Sequence, residues 1–209
     1  ARGAYIIAAA RTEQSAADTL RELAIDGTPV TCELSDLASV RGAIQSVLNT
    51  GRPLDGILAN AGIMALPTLT QKDGIELQFY VNHIGHFVLV NGLVDALTPN
   101  GRVVILSSGA HFYAAQSGLE LDNVSGERNY DAWRMYGRSK LANIHYAKGL
   151  NARFAGTNRP ANAVHPGVID TNLGRHVPDK QAMYENLKKR VRLKTIPQGA
   201  ATQCYVATH

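Results

Sequence analysis

The chain has 209 residues, enough for one domain with a sizeable core and too few for two comfortable ones. Its 45% hydrophobic and 18% charged residues are those of an ordinary water-soluble protein, and no run approaches the ~20 apolar residues of a membrane span. Lys and Arg exceed Asp and Glu by 21 − 17 = 4, too small an excess for a nucleic-acid binder but favourable to an anionic ligand.

The chain opens on Ala1-Arg2-Gly3, which reads as the end of a helix, with no methionine or leader before it. It then enters a strand at 4–10, followed by a helix at 13–25 that ends before Gly27. A strand at 30–32 precedes a helix at 37–48, for which Asp36 is a suitable cap. Next come a strand at 56–59, a long helix at 74–97, a strand at 103–107 and a helix at 136–154. A strand at 161–165 and a helix at 182–193 complete the pattern, with turn signals at 26–29 and 98–101. The two cysteines, Cys32 and Cys204, lack CxxC spacing and read as reduced thiols of a cytoplasmic protein.

Short runs of Val, Ile, Leu and Ala suit strands buried on both faces, and their alternation with amphipathic helices predicts an α/β fold with a doubly wound parallel sheet. There is no internal repeat or linker, so residues 1–209 are expected to form a single domain. Right-handed crossovers put the ligand beyond the carboxyl ends of the strands. That edge carries Ala10-Arg11, Glu33-Leu34, Asn60-Ala61-Gly62, Ser107-Ser108 and Pro166-Gly167.

Tyr136 and Lys140 stand at i and i+4 on the helix at 136–154, hence on one face. A free phenol has a pKa near ~10, and a neighbouring ammonium is expected to favour its ionised form, which suits proton exchange with an alcohol or carbonyl oxygen. Such pairs arise by chance on many helices, so the weight comes from context. Ser107 and Ser108 bring hydroxyls to the strand edge, one to hold a reacting oxygen and one to cap local backbone. His83 and His86, with His111 further on, lack a third ligand and a supporting shell, and no metal is expected.

Together with Ala59-Asn60-Ala61-Gly62 and His165-Pro166-Gly167-Val168-Ile169-Asp170-Thr171, these features resemble the short-chain dehydrogenase/reductase family. The stretches from Asp73 to Phe87, including Tyr80-Val81-Asn82-His83, and from Tyr136 to Asn143 are similar to its retinol-dehydrogenase-like branch. The resemblance spans essentially the whole chain and implies a Rossmann-type sheet and an oxidoreductase acting on CH–OH or C=O. It implies that Tyr136 is the general acid/base and that Lys140 lowers its pKa and bonds the nicotinamide ribose. Ser108 would hold the substrate oxygen, and Asn82 would anchor a water linking Lys140 to solvent. The 28 positions from Ser108 to Tyr136 exceed the family's common spacing, and 118–133 reads as an insertion typical of the branch.

For the cofactor, sites selective for NAD place an acidic side chain after the strand that here ends in Ala10-Arg11. An arginine there suits a 2′-phosphate, so NADP is favoured over NAD. Glu33-Leu34 replaces the family's Asp-Val or Asp-Leu beside the adenine, and Ala59 replaces the first Asn of Asn-Asn-Ala-Gly. The retained Asn60, Ala61 and Gly62 permit close backbone approach to the cofactor. Pro166, Gly167, Val168 and Thr171 are implied to contact the nicotinamide end. The basic run Lys188-Lys189-Arg190 with Arg192 reads as a solvated face, in a region that forms a mobile substrate lid in the family.

The family's glycine-rich T-G-x-x-x-G-x-G turn and the strand before it do not occur in this sequence, and the chain stops at Ala207-Thr208-His209, before the expected last strand. The missing first strand belongs in the middle of the sheet, so a break is expected there, with unpaired backbone groups. The chain is accordingly read as part of a longer protein, and these residues alone are expected neither to bind NADPH nor to melt cooperatively. The expected partner is a small alcohol, aldehyde or ketone, with no nucleic acid and no membrane segment; a homo-oligomer is compatible with this reading. The rival readings are a dinucleotide-binding regulator or scaffold with little turnover and a non-enzymatic fragment. Joint retention of Asn82, Ser108, Tyr136 and Lys140 favours the enzyme.

Overall fold

The computed structural model describes residues 3–114 and 118–209, so the helix end expected at Ala1-Arg2 lies outside the described residues. Strands β1 (Ile6–Ala10) and β2 (Gly27–Thr31) pair in parallel, with Ile6 opposite Gly27. Helix α1 (Glu13–Glu22) crosses between them and buries Ala16 and Leu20, opened by Thr12, whose hydroxyl accepts from the Ser15 N–H. It ends three residues before the expected 25, because Ala24 adopts a left-handed φ of 49° that stops the helix. Helix α2 (Leu37–Asn49) follows, with the Asp36 carboxylate accepting from the Ala38 N–H at 2.9 Å as its cap.

The second parallel group runs in the order β3 (Leu54–Ala59), β6 (Leu97–Leu106), β7 (Ala161–Val164). The turn expected at 98–101 is absorbed into β6, where the register slips between the Leu54–Leu97 and Gly56–Arg102 pairs. The core joins both groups: Val30, Val40 and Ile44 pack in one cluster with Val90, Val103, Ile105 and Leu150.

No ladder joins β1 to β3 among the described residues, and the break falls where the absent strand was expected. In β1 the Ile6 N–H donates to Asp26 and the Ala10 carbonyl accepts from Cys32, both toward β2. The alternation of a strand therefore turns the main-chain groups of Ile7 and Ala9 the other way, into the gap. Leu58 on β3 is correspondingly exposed for so apolar a side chain.

The single helix expected at 74–97 is instead several elements. Asp73 and Gly74 have φ of 52° and 75°, the two left-handed positions of a tight hairpin turn joining β4 (Gln71–Lys72) to β5 (Ile75–Glu76). A short α3 (Leu77–Phe79) runs into a π-helical turn, Tyr80–Gly85, then α4 (His86–Leu93). The π turn includes Asn82 and His83, and such bulges re-aim side chains. Helix α5 (Ala132–Arg153) carries Tyr136 and Lys140, α6 (Lys180–Lys188) is shorter than expected, and α7 (Ile196–Thr208) was not expected at all. Thr195 and Gln198 form a reciprocal capping box at the start of α7. No helix of the described residues is long and apolar enough to cross a membrane.

Candidate active site

Helix α5 begins four residues before Tyr136 because the Asp131 carboxylate accepts from the Arg134 N–H at 2.7 Å. Its inner face then buries Tyr136, Ser139, Lys140 and Asn143. The end of β6 is brought against this face by two contacts. Ser107 Oγ donates to the Lys140 carbonyl at 2.8 Å, and Gly137 lets the Ala110 carbonyl approach so closely that a Cβ would lie 2.4 Å from its oxygen. Ser108 caps the 3₁₀ turn Gly109–Tyr113 and lines the same cavity as Tyr136. Both serines line the cavity, Ser107 bonded to the helix backbone and Ser108 to the backbone of its own turn.

Tyr136 and Lys140 are in place, but their expected electrostatics are reversed. Burial pushes the Tyr136 phenol up to about 12, opposed by the Ser108 hydrogen bond. Lys140 is itself pushed down to about 8 by burial. Its Nζ lies 5.5 Å from the Tyr136 ring centroid and donates to the Leu106 carbonyl at 3.2 Å. Desolvation is the largest cause of both shifts.

Asn82 lies in the same buried layer. Its side chain accepts from the Ile63 N–H at 2.9 Å and donates to the Ile63 carbonyl at 2.9 Å and to Ser139 Oγ at 3.0 Å. Its own carbonyl lies 3.1 Å from His86 Nδ1 and accepts from Asn143 Nδ2 at 3.1 Å. The side chain and the carbonyl of Asn82 thus brace protein groups around the catalytic helix. Gly62 packs closely against Asn82, since a Cβ on it would lie 2.9 Å from Asn82 Oδ1.

His83 and His86 belong to this polar layer. His83 Nδ1 lies 3.0 Å from Asn143 Oδ1, and burial lowers its pKa. Burial likewise lowers His86 to about 4. Among the described residues no group of three His, Cys, Asp or Glu side chains is gathered to hold a metal.

The carboxyl edge of the sheet opens into two cavities. One, of about 610 Å³, takes Ser108, Tyr136, Pro166, Gly167, Val168 and Thr171. The other, of about 690 Å³, takes Arg11, Glu33, Leu34, Asn60, Ala61 and Gly62 and extends into the gap between Ile7 and Leu58. Lys140 and Asn82 lie buried beneath them. Glu33 is held by Ser35, whose N–H and hydroxyl donate to its Oε1 at 3.0 and 2.8 Å, so its carboxylate is partly engaged.

The sequence did not point to the apolar lining of the first cavity: Met64, Tyr113, Trp133, Leu173, Met183, Tyr184 and Leu187. Met183, Tyr184 and Leu187 form the inner face of α6, while the basic run after Leu187 is exposed as expected. Asn172, Arg175 and His176, which line the second cavity, were also missed. They follow Thr171 in a 3₁₀ turn, Asn172–His176, that no periodic pattern announces.

A family model described as enoyl-(acyl carrier protein) reductase, of the short-chain dehydrogenase type, matches residues 1–206. The chain is 40% identical to short-chain dehydrogenase TIC 32 B, chloroplastic, of Brassica napus over 223 aligned positions, covering 100% of this chain and 69% of that protein. It is 39% identical to retinol dehydrogenase 14 of Homo sapiens over 181 positions, covering 84% of this chain and 53% of that one. In fold it is similar to a short-chain dehydrogenase from Burkholderia cenocepacia in complex with NADP, with a TM-score of 0.72 at 24% identity over 97% of this chain and 79% of that one. It is also similar to the 3-alpha-hydroxysteroid dehydrogenase of a Pseudomonas species complexed with NADH, with a TM-score of 0.73 at 21% identity over 98% and 89% of the two chains. Motif order, parallel topology and these likenesses agree, and the chain belongs to the short-chain dehydrogenase/reductase family.

Proposed function

We propose that this protein carries out reversible hydride transfer between NADP(H) and a lipophilic alcohol or carbonyl compound. The observation that carries the proposal is that Ser108 and Tyr136 line one largely apolar cavity. A substrate oxygen placed between these hydroxyls would receive a hydrogen bond from Ser108 and a proton from Tyr136. With its phenol held neutral by burial, Tyr136 is set as an acid, which suits carbonyl reduction. The Lys140 ammonium beneath the ring would stabilise the phenolate left behind.

The residues present suit a nicotinamide dinucleotide, which when bound supplies or accepts the hydride. Pro166, Gly167, Val168 and Thr171 line the catalytic cavity and would hold the nicotinamide end, while Glu33 and Leu34 line the neighbouring one and would hold the adenosine end. Arg11, which has no carboxylate partner among the described residues, would take the 2′-phosphate and favour NADP. The wall formed by Met64, Trp133, Met183 and Leu187 presents no charge, which favours an uncharged, bulky substrate. The names of the relatives point the same way, since they include retinol dehydrogenase 14 and polyprenol dehydrogenase.

The test is oxidation of NADPH and NADH by the native-length protein against a panel of aldehydes and ketones of increasing apolar size. Turnover should favour NADPH and the larger apolar substrates, and Tyr136→Phe should lower it by ~10²–10⁴-fold. Undiminished turnover in Tyr136→Phe would overturn the mechanism. Preference for charged substrates would overturn the substrate class.

A further inference from the structure

Arg175 stands at a crossing point between the two cavities. Thr171 and Leu173 line the catalytic cavity, whereas Asn172, Arg175 and His176 line the second one. The 3₁₀ turn Asn172–His176 is therefore a shared wall, with Leu173 on one cavity and Asn172, Arg175 and His176 on the other. Met64 and Ile63 form the matching wall from the loop after β3, one in each cavity.

The charges at this wall are uneven. Arg175 is exposed, and one guanidinium nitrogen donates to the Asn172 carbonyl at 3.1 Å within its own turn. Among the described residues neither Arg175 nor Arg11 forms an ion pair, although both line the same cavity. Glu33, the carboxylate on that cavity, is engaged by Ser35. Two unpaired guanidinium groups on one cavity make a site for an anion, and a planar guanidinium offers paired donors to phosphate oxygens.

We infer that Arg175 is a further cofactor-binding residue, contacting the diphosphate that joins the two halves of the dinucleotide. The inference rests on the reading of the two cavities as one dinucleotide site. Arg11 follows β1 and faces the adenosine end, beside Glu33 and Leu34. Arg175 comes four residues after Thr171, at the boundary with the nicotinamide end. A ligand that spans both cavities carries its diphosphate across that boundary, so the two arginines serve different phosphates.

The experiment is calorimetric titration of the native-length protein with NADPH, NADH and ADP, using wild type, Arg175→Gln, Arg175→Lys and Arg11→Gln. ADP carries the diphosphate without the 2′-phosphate or the nicotinamide. Arg175→Gln should weaken all three ligands by about tenfold, the loss of one charge-assisted contact, and Arg175→Lys should restore part of it. Arg11→Gln should weaken NADPH while leaving NADH and ADP close to wild type. Unchanged affinities in Arg175→Gln would overturn the inference, as would a loss confined to NADPH, which would assign Arg175 to the 2′-phosphate. If the wild-type protein bound none of the three ligands, the dinucleotide reading itself would fall.

Discussion

Lys140 Nζ stands 5.5 Å from the centre of the Tyr136 ring while donating its hydrogen bond to the Leu106 carbonyl at 3.2 Å. The ammonium is therefore fixed by backbone under the phenol. What it contributes to proton transfer depends on its remaining charged, and burial brings its pKa down to about 8. As pH rises through that value the ammonium is lost, and the phenolate formed when Tyr136 gives up its proton loses its counter-charge. Carbonyl reduction should therefore decline above pH about 8. Arginine stays charged far above this range, so Lys140→Arg, even at reduced overall rate, should move the decline upward. A decline at the same pH in that variant would separate it from Lys140.

Asn82 provides a second test, because its bonds describe a brace. Replacement by alanine removes the partners of both the Ile63 N–H and the Ile63 carbonyl. Each unpaired polar group costs about 1–3 kcal/mol when buried, less where water reaches it. Asn82→Ala should thus lower the melting temperature by several degrees along with turnover. A variant that melts like wild type but turns over slowly would return Asn82 to a role in proton relay.

Gly137 sets the distance between the catalytic helix and the turn that carries Ser108. A Cβ there would lie 2.4 Å from the Ala110 carbonyl oxygen, which is backbone and cannot swing aside. Gly137→Ala should push the Gly109–Tyr113 turn away from α5 and misalign Ser108 with Tyr136. Displacements near 1 Å can cost ~10²-fold in rate, so turnover should fall by one to two orders of magnitude, roughly, while far-ultraviolet circular dichroism stays native. Full activity would show that the Ser108–Tyr136 alignment tolerates the shift.

The strand ends were legible because buried parallel strands leave short apolar runs, each closed by a polar or glycine residue. That pattern places Arg11, Glu33, Asn60, Ser108 and Pro166 on one edge, and the want of a glycine-rich turn in the sequence predicts the break beside β1. The stretch 74–97 reads as one helix in sequence because its apolar spacing satisfies a helix on both sides of the hairpin. Asp73-Gly74 was the turn signal that should have interrupted it. Helix α7 was missed although Thr195 and Gln198 spell a capping box. The electrostatics of Tyr136 were beyond reach for a different reason. Spacing reports which side chains share a helical face, whereas the direction of a pKa shift depends on how much water each side chain loses.

His86 makes the same burial measurable as stability. Its pKa falls to about 4 in the folded chain, from the ordinary 6.5, chiefly through burial, with Lys140 and His83 adding to the effect. Between pH 6.5 and about 4 the unfolded chain binds a proton that the folded chain refuses. Stability is then complete above 6.5 and declines as pH falls through the window, by up to roughly 3 kcal/mol for this one group. His83 is shifted in the same direction and should add a smaller decline. Replacing His86 by glutamine retains an N–H donor for the Asn82 carbonyl but removes the titrating ring. Denaturant unfolding of the native-length protein should therefore show a flatter dependence on pH in His86→Gln than in wild type, with the remaining slope reduced again by His83→Gln. An unchanged slope in both variants would trace acid sensitivity to other groups and leave the buried polar layer around Asn82 without a part in it.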